Sequence, residues 1–404
     1  MTATTDVLST HRRNVPVLAA AQALFMSTQA MGIATTPLAA LAMLEQKSLA
    51  TVPIFLNHAG IMLTTIPASL LMAHIGRRAG FSIGAVLAVI FGVMASLAVW
   101  TQRFDLLCVA ALLQGASAAF AWYYRFAAAD VSPVAFKARA ISYVMAGGVA
   151  AGIIGPELAK YTVDWFSPHM FLGVYLTISL VGATSLILLQ ALRIPRLTAA
   201  ERAEGGRPLG TIMRQPVYIT ALTSSMFGYG VMTLVMSATP LAMIGCGYGF
   251  GHSATVIQAH IIAMFLPSFF TGHLIQRFGV LPVIATGAVI EIGCALVNIA
   301  GVDYWNFMIA NVLVGLGWNF TYVGGSTLLT RTYEPSERAK VQASHDFIVY
   351  ATTATAAAAA GIMHANTGWT ALNLSAVPMM MAVLLATFWL HIKWRAADRQ
   401  SVNA

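Results

Sequence analysis

The segment RIPRLTAAERAEGGRPLGTIMR, Arg193–Arg214, decides how this chain divides. It is the longest polar interruption in the sequence, carries five arginines and lies at the middle of 404 residues. On either side the chain is almost continuously apolar. Hydrophobic residues make up 58% of it and charged residues 9%, where a soluble domain carries about 25% charged residues. Such a chain cannot cover a water-facing surface. Its apolar runs reach the roughly 20 residues needed to cross about 30 Å of hydrocarbon. Gly, Pro and charged breakers separate six such runs before the segment and six after it. The expected fold is therefore an all-α membrane protein of twelve transmembrane helices. Residues 1–192 form one six-helix half, 193–215 a cytoplasmic linker, and 216–404 a second six-helix half.

The basic residues set the orientation. The net charge is +8, but in a polytopic chain Lys and Arg mark the cytoplasmic side rather than a nucleic-acid surface. Of the 22 Lys and Arg, 18 fall in the N-terminal tail, the even-numbered loops, the linker and the C-terminal tail. Only Lys47, Arg103 and Lys160 fall on the other side, and Arg125 lies near the end of the fourth span, placed at 104–128. Both termini and the linker are expected in the cytoplasm. The first apolar run has no cleavage site after it and reads as a retained helix. Three cysteines without a CxxC pair form no disulfide framework.

An internal repeat supports the division. TTPLA, ending at Ala39, recurs as ATPLA, ending at Ala242, an offset of 203 residues. At the same offset, Gly76 of LMAHIGRRAG falls on Gly279 of GHLIQRFGVL. Two similar halves around a substrate path is a transporter plan. With these motifs the chain resembles the major facilitator superfamily over essentially its whole length. AHIGRRAG looks like that family's basic loop after helix 2, and GHLIQRFG like its second-half copy. The acidic position of the loop is Ala73 in the first copy and Gln276 in the second. Arg77, Arg78 and Arg277 must then find other partners, such as Asp130 or Glu334, for a gate.

Two helical-spacing pairs raise the question of cargo. VMTLVM places Met232 and Met236 one turn apart, and HIIAM does the same for His260 and Met264. Residues four apart share a helix face, and at 1.5 Å per residue all four lie roughly 9–18 Å below the outer surface. Thioether and imidazole suit copper and introduce no buried charge. Methionine also fills irregular gaps between helices, so spacing alone leaves packing and ligation both open. The flanking sequence resembles the CcoA-type copper importers. That resemblance implies import of a copper ion as transported substrate, with Met232, Met236, His260 and Met264 as metal ligands and Cys246 as an accessory metal or redox residue. It also implies supply of a cbb3-type oxidase, with cytoplasmic copper chaperones or oxidase assembly factors as partners. The alternative is a small organic solute or drug as cargo, with Met232 and His260 merely lining its path. A third reading, a copper sensor or docking platform without transport, lacks any appended soluble domain.

Other polar residues are candidates for gating or coupling. Glu157 and Lys160 stand three apart in GPELAK, either as a functional pair or as a local ion pair. Glu291 is alone in an apolar run and could be protonated or simply hydrogen-bonded between helices. His345 and Asp346 open the eleventh span and suit pairing at an inner gate. No P-loop, nucleotide-binding segment or catalytic constellation is present in the sequence, so the expectation is a gradient-driven transporter, not an enzyme, with no prosthetic cofactor and no nucleic-acid or nucleotide partner.

Overall fold

The computed structural model describes residues 2–44, 52–194 and 206–402. Lys47 and linker residues 195–205 lie outside the described residues. Among the described residues the fold is all-α, with twelve helical passes in two halves of six. Ten helices among the described residues are long and apolar enough to cross a membrane. A bilayer leaves backbone N–H and C=O groups no water to bond, so each pass must satisfy them internally as helix.

Two compact units partition the chain: Met1–Glu204 together with Gln342–Tyr350, and Gly205–Val341 together with Ala351–Ala404. The first contains α1 (Thr2–Met43), α2 (Val52–Ile75), α3 (Arg77–Thr101), α4 (Phe104–Ala121), α5 (Tyr124–Asp130), α6 (Lys137–Thr162) and α7 (Leu172–Leu189). Here α1 packs on α6, α2 on α4, and α3 on both α4 and α7. Met31, Phe91, Tyr175 and Ile178 are core residues of this unit. Small residues let the helices close on one another: a Cβ on Gly115 would meet the Asn57 carbonyl oxygen at 2.0 Å.

The second unit contains α8 (Leu209–Met213), α9 (Pro216–Gly245), α10 (Phe250–Phe265), α11 (Ser268–Phe278), α12 (Val280–Ala300) and α13 (Tyr304–Leu329). It also holds most of α14 (Arg338–Val402), in which Gly368, at φ 82°, separates two passes. Helix α13 is the hub, packed by α9, α10 and α12. Leu63, Leu180, Ile187, Leu385 and Phe388 remain more than 60% exposed, as helices facing lipid require.

The repeat is visible in the backbone. Gly76 adopts φ 90°, ψ 157° where α2 gives way to α3, and Gly279 adopts φ 91°, ψ 162° where α11 gives way to α12. A side chain is strained at such φ, so glycine is required at both turns. Each is followed by the next helix of its unit, 203 residues apart in the sequence.

Two passes are interrupted. Helices α4 and α5 are separated at Trp122 and Tyr123, and α10 and α11 at Leu266 and Pro267. Proline has no N–H to continue the ladder. The Met264 carbonyl beside that break accepts a hydrogen bond from Asn319 Nδ2 at 2.6 Å, and Asn319 Oδ1 accepts one from Thr271.

Candidate functional site

Within the first unit, the pass made by α4 and α5 carries a charge that its sequence position disguised. Arg125 is the second residue of α5 and lies 1% exposed inside the Phe104–Asp130 span, five residues from its end. Its Nη2 donates to both carboxylate oxygens of Asp346 at 2.8 Å, and each side chain is 1% exposed. Nη1 donates to the Trp122 carbonyl at the α4–α5 interruption, and the guanidinium lies 4.3 Å from the centre of the Phe126 ring. His345 Nδ1 is 2.8 Å from Asp346 Oδ1. A carboxylate can only accept, so Nδ1 carries the proton.

Arg77 is also buried. Its Nη2 donates to Asp130 Oδ2 at 3.3 Å and to Gln342 Oε1. The missing loop carboxylate is thus replaced by Asp130. Arg78 and Arg277 are exposed, with Arg277 over the Phe278 ring at 5.3 Å. Glu157 and Lys160 form a 2.7 Å pair at 49% and 70% exposure. That is the local surface pair of the two readings.

The second unit is built differently. Four rings meet there: Trp318 and Tyr322 of α13 stack at 5.0 Å and 18°, with Tyr229 of α9 edge-on to both at 5.4 and 5.2 Å. Phe265 at the end of α10 is edge-on to Trp318 at 5.6 Å. Trp318, Tyr322 and Phe265 are buried, whereas Tyr229 is half-buried. Residues 318 and 322 are one turn apart, which brings both rings to one face of α13.

Met232 and Met236 continue the face of α9 that begins at Tyr229, at spacings of three and seven. Met232 is 3% exposed and Met236 half-buried. On α10, His260 is fully buried and Met264 7% exposed. His260 Nδ1 lies 2.8 Å from the Asn311 carbonyl of α13. That carbonyl fixes the proton on Nδ1 and leaves Nε2 an acceptor, with no protein partner among the described residues. Trp318 Nε1 and Glu291 Oε2 are likewise buried without a partner among the described residues.

Glu291, in α12, is fully buried; Thr321 Oγ1 donates to its Oε1 at 3.2 Å. Cys294 is buried one turn on, and Cys246 is exposed beyond α9. The sequence pointed to the methionine pairs and to Glu291 but missed Arg125 and the four rings.

Comparison with known proteins is consistent with this architecture. The family model described as Major Facilitator Superfamily matches residues 18–266 and 248–402. The riboflavin transporter RfnT of Brucella anthropi is 38% identical over 392 residues, covering 96% of this chain and 98% of that protein. The uncharacterized MFS-type transporter YddS of Bacillus subtilis is 27% identical, over 89% of this chain and 86% of its own. Among solved structures, the FucP transporter in its outward conformation superposes with a TM-score of 0.76 at 16% identity, over 94% of this chain and 99% of that one.

These findings correct the copper expectation. A full-length relative carries riboflavin, an organic solute. Among the described residues no three His, Cys, Asp or Glu side chains group as a metal site. The copper-importer resemblance, the copper cargo, the metal-binding description and the copper-chaperone and oxidase-assembly partners therefore fall. Met232 and Met236 stand three and seven residues after Tyr229 on α9, where thioether side chains suit packing as well as ligation.

Proposed function

We propose, from the premise that this chain belongs to the major facilitator superfamily, that it is a secondary transporter of a planar aromatic organic solute, with riboflavin as the first candidate. The observation that carries this reading is the 38% identity to a riboflavin transporter across nearly the whole of both chains. The ring cluster supports it. A flat heteroaromatic system stacks on or against aromatic side chains at centroid separations of about 4.5–7 Å, and Tyr229 is the half-exposed ring of the four. Trp318 Nε1 offers a donor and His260 Nε2 an acceptor. A flavin edge carries both kinds of partner, carbonyl oxygens and an N–H. Met232 and Met236 serve as soft apolar lining.

The bias of basic residues supports a bacterial inner-membrane location with both termini in the cytoplasm. Transport proceeds by rocking of the two halves of the fold. The test is uptake of labelled riboflavin by a riboflavin-auxotrophic bacterium lacking its own importer. Expression of the protein should restore uptake and growth at low riboflavin. No uptake with the protein present in the membrane would reject the substrate.

A further inference from the structure

Glu291 is an ionisable group for which solute binding alone has no use. It lies 11 residues into α12, about 16 Å along the helix at 1.5 Å per residue, and is fully buried. Among the described residues it makes no ion pair and accepts one side-chain hydrogen bond, from Thr321. A lone ionised carboxylate in hydrocarbon is costly, so ionisable groups there mark ion pathways and proton relays. Glutamine would fill the same volume without that cost.

The packing around the carboxyl is specific. A Cβ on Gly317 would lie 2.5 Å from Glu291 Cγ, and one on Gly228 would lie 2.1 Å from Thr321 Oγ1 and 3.4 Å from Glu291 Oε1. The Glu291 side chain is thus bordered by Gly228 of α9 and Gly317 of α13, and its carboxyl is bonded by Thr321 of α13. Each of these three residues is followed in sequence by a ring of the aromatic cluster: Tyr229, Trp318 and Tyr322. One helical step, about 100°, separates the surface that touches Glu291 from the surface that carries the rings. Solute contact with the rings therefore bears on the same two helix segments that border the Glu291 side chain.

We propose that Glu291 is the proton-binding group that couples solute movement to proton movement. This rests on the reading of the ring cluster as the solute site. Oε2 takes a proton from water when the unit opens to one side of the membrane, forming the neutral acid. It returns that proton to water on the other side, with solute occupancy of the rings setting when the exchange occurs. The titratable groups on the surrounding elements are few. They are the Cys294 thiol on α12, the phenols of Tyr218 and Tyr229 on α9, and those of Tyr304 and Tyr322 on α13. His273 and Arg277 of α11 sit near the opposite end of α12, which starts at Val280.

The test uses the full chain in two arms. In lipid nanodiscs without solute, infrared difference spectra between alkaline and acid buffer should show a carboxyl C=O band that E291Q lacks. Coincident spectra would overturn the proposal whatever the substrate. In proteoliposomes with an acid exterior, wild type should accumulate riboflavin, up to about tenfold per pH unit for one proton per solute. E291Q should reach only the equilibrium level while riboflavin–riboflavin exchange continues. Accumulation by E291Q equal to wild type would also overturn it. Wild-type liposomes that neither accumulate nor exchange riboflavin would instead reject the solute assignment, and the infrared arm would then decide the carboxyl alone.

Discussion

Phe120 closes on Gly84 in the first unit, and Phe320 closes on Gly287 in the second, with a glycine Cβ meeting the ring-bearing Cβ at 2.7 and 2.8 Å. The interrupted pass α4–α5 and the continuous helix α13 are therefore equivalent parts of the repeat. What they carry is opposite. Counting from the phenylalanine, Arg125 stands where the second unit has Gly325, and Ala118 and Trp122 stand where it has Trp318 and Tyr322. Counting from the glycine, Ala88 stands where the second unit has Glu291. Ala88 borders a cavity of about 20 Å³, with Ser117 and Gly84 on its wall, large enough for one water molecule. One copy of the fold thus keeps a neutralised ion pair, and the other keeps a lone acid beside aromatic rings. The repeat constrains close helix approach and leaves the polar chemistry free to diverge.

The largest expected effect separates these two kinds of buried charge. Arg125→Ala or Asp346→Ala leaves one charge stranded, and breaking a buried pair costs roughly 3–5 kcal/mol. Either variant should fall sharply in membrane abundance and in thermal stability in detergent. The double change Arg125→Met with Asp346→Leu should recover most of that loss, because no charge remains unpaired. By contrast, Glu291→Gln should retain stability, since that carboxyl has no counter-ion to lose. A double variant no better than the singles would show that the pair acts through something other than its charge.

Next in size is the glycine clamp. Gly317→Ala should destabilise by about 1–3 kcal/mol, the usual cost of overpacking, because its Cβ would lie 2.5 Å from Glu291 Cγ. The equivalent position in the first unit is Ser117, whose hydroxyl donates to the Gly84 carbonyl at 2.7 Å. Ser117→Ala should cost only about 1 kcal/mol, the net worth of one hydrogen bond. Combining Gly317→Ala with Glu291→Ala should relieve the part of the clash made with the Glu291 side chain, giving a coupling energy in a double-mutant cycle, while the 2.9 Å approach to the Gly287 carbonyl oxygen remains. Strict additivity would mean the two residues do not share space.

The ring cluster gives a smaller, functional difference. Tyr229→Leu should raise the half-saturating riboflavin concentration about three- to tenfold, the effect of one aromatic contact of about 0.5–1.5 kcal/mol. The equivalent first-unit change at the 203-residue offset, Met26→Leu, should leave it unaltered. Equal effects at both positions would place the solute against both units and dissolve the contrast.

These contrasts also explain what could be read from the sequence. The apolar periodicity and the Gly76–Gly279 correspondence are local signals, and both survive into the structure. Arg125 was hidden because the helical pass runs to Asp130, two residues beyond the apolar run, so an intramembrane arginine looked terminal. The ring cluster was hidden because Tyr229, Phe265, Trp318 and Tyr322 come from three helices that only the tertiary fold brings together. Met232 and Met236 were correctly placed on one helix face, but spacing cannot tell a ligand from packing. Glu291 stood out because a lone acid in an apolar run needs a reason to be there.

The smallest effect contrasts the dry Arg125–Asp346 pair with a wet one. Glu337 accepts from the backbone N–H and Nε of Arg207 at 2.7 and 2.8 Å, from its Nη2 at 2.6 Å, and from the Glu334 N–H at 3.0 Å. The hydrogen bonds from the Arg207 side chain, more than burial opposes them, pull the Glu337 carboxyl down from 4.5 to about 2. A depressed carboxyl stabilises the fold above its unfolded value and loses that contribution as pH falls through the folded value. The window therefore runs from about pH 4.5 down to about 2. Arg207 remains 44% exposed, so solvent and salt screen the pair, and the gain stays near the modest worth of surface ion pairs, about 1 kcal/mol or less. Thermal unfolding in detergent from pH 6 to pH 3 should show wild type converging on Glu337→Gln as acid is added, with the gap at pH 6 narrowing in high salt. Loss of Arg125 should instead stay costly at every salt concentration, because no counter-ion enters a pair that is 1% exposed. Parallel acid profiles for wild type and Glu337→Gln would show that the arginine contacts of Glu337 do not set its protonation.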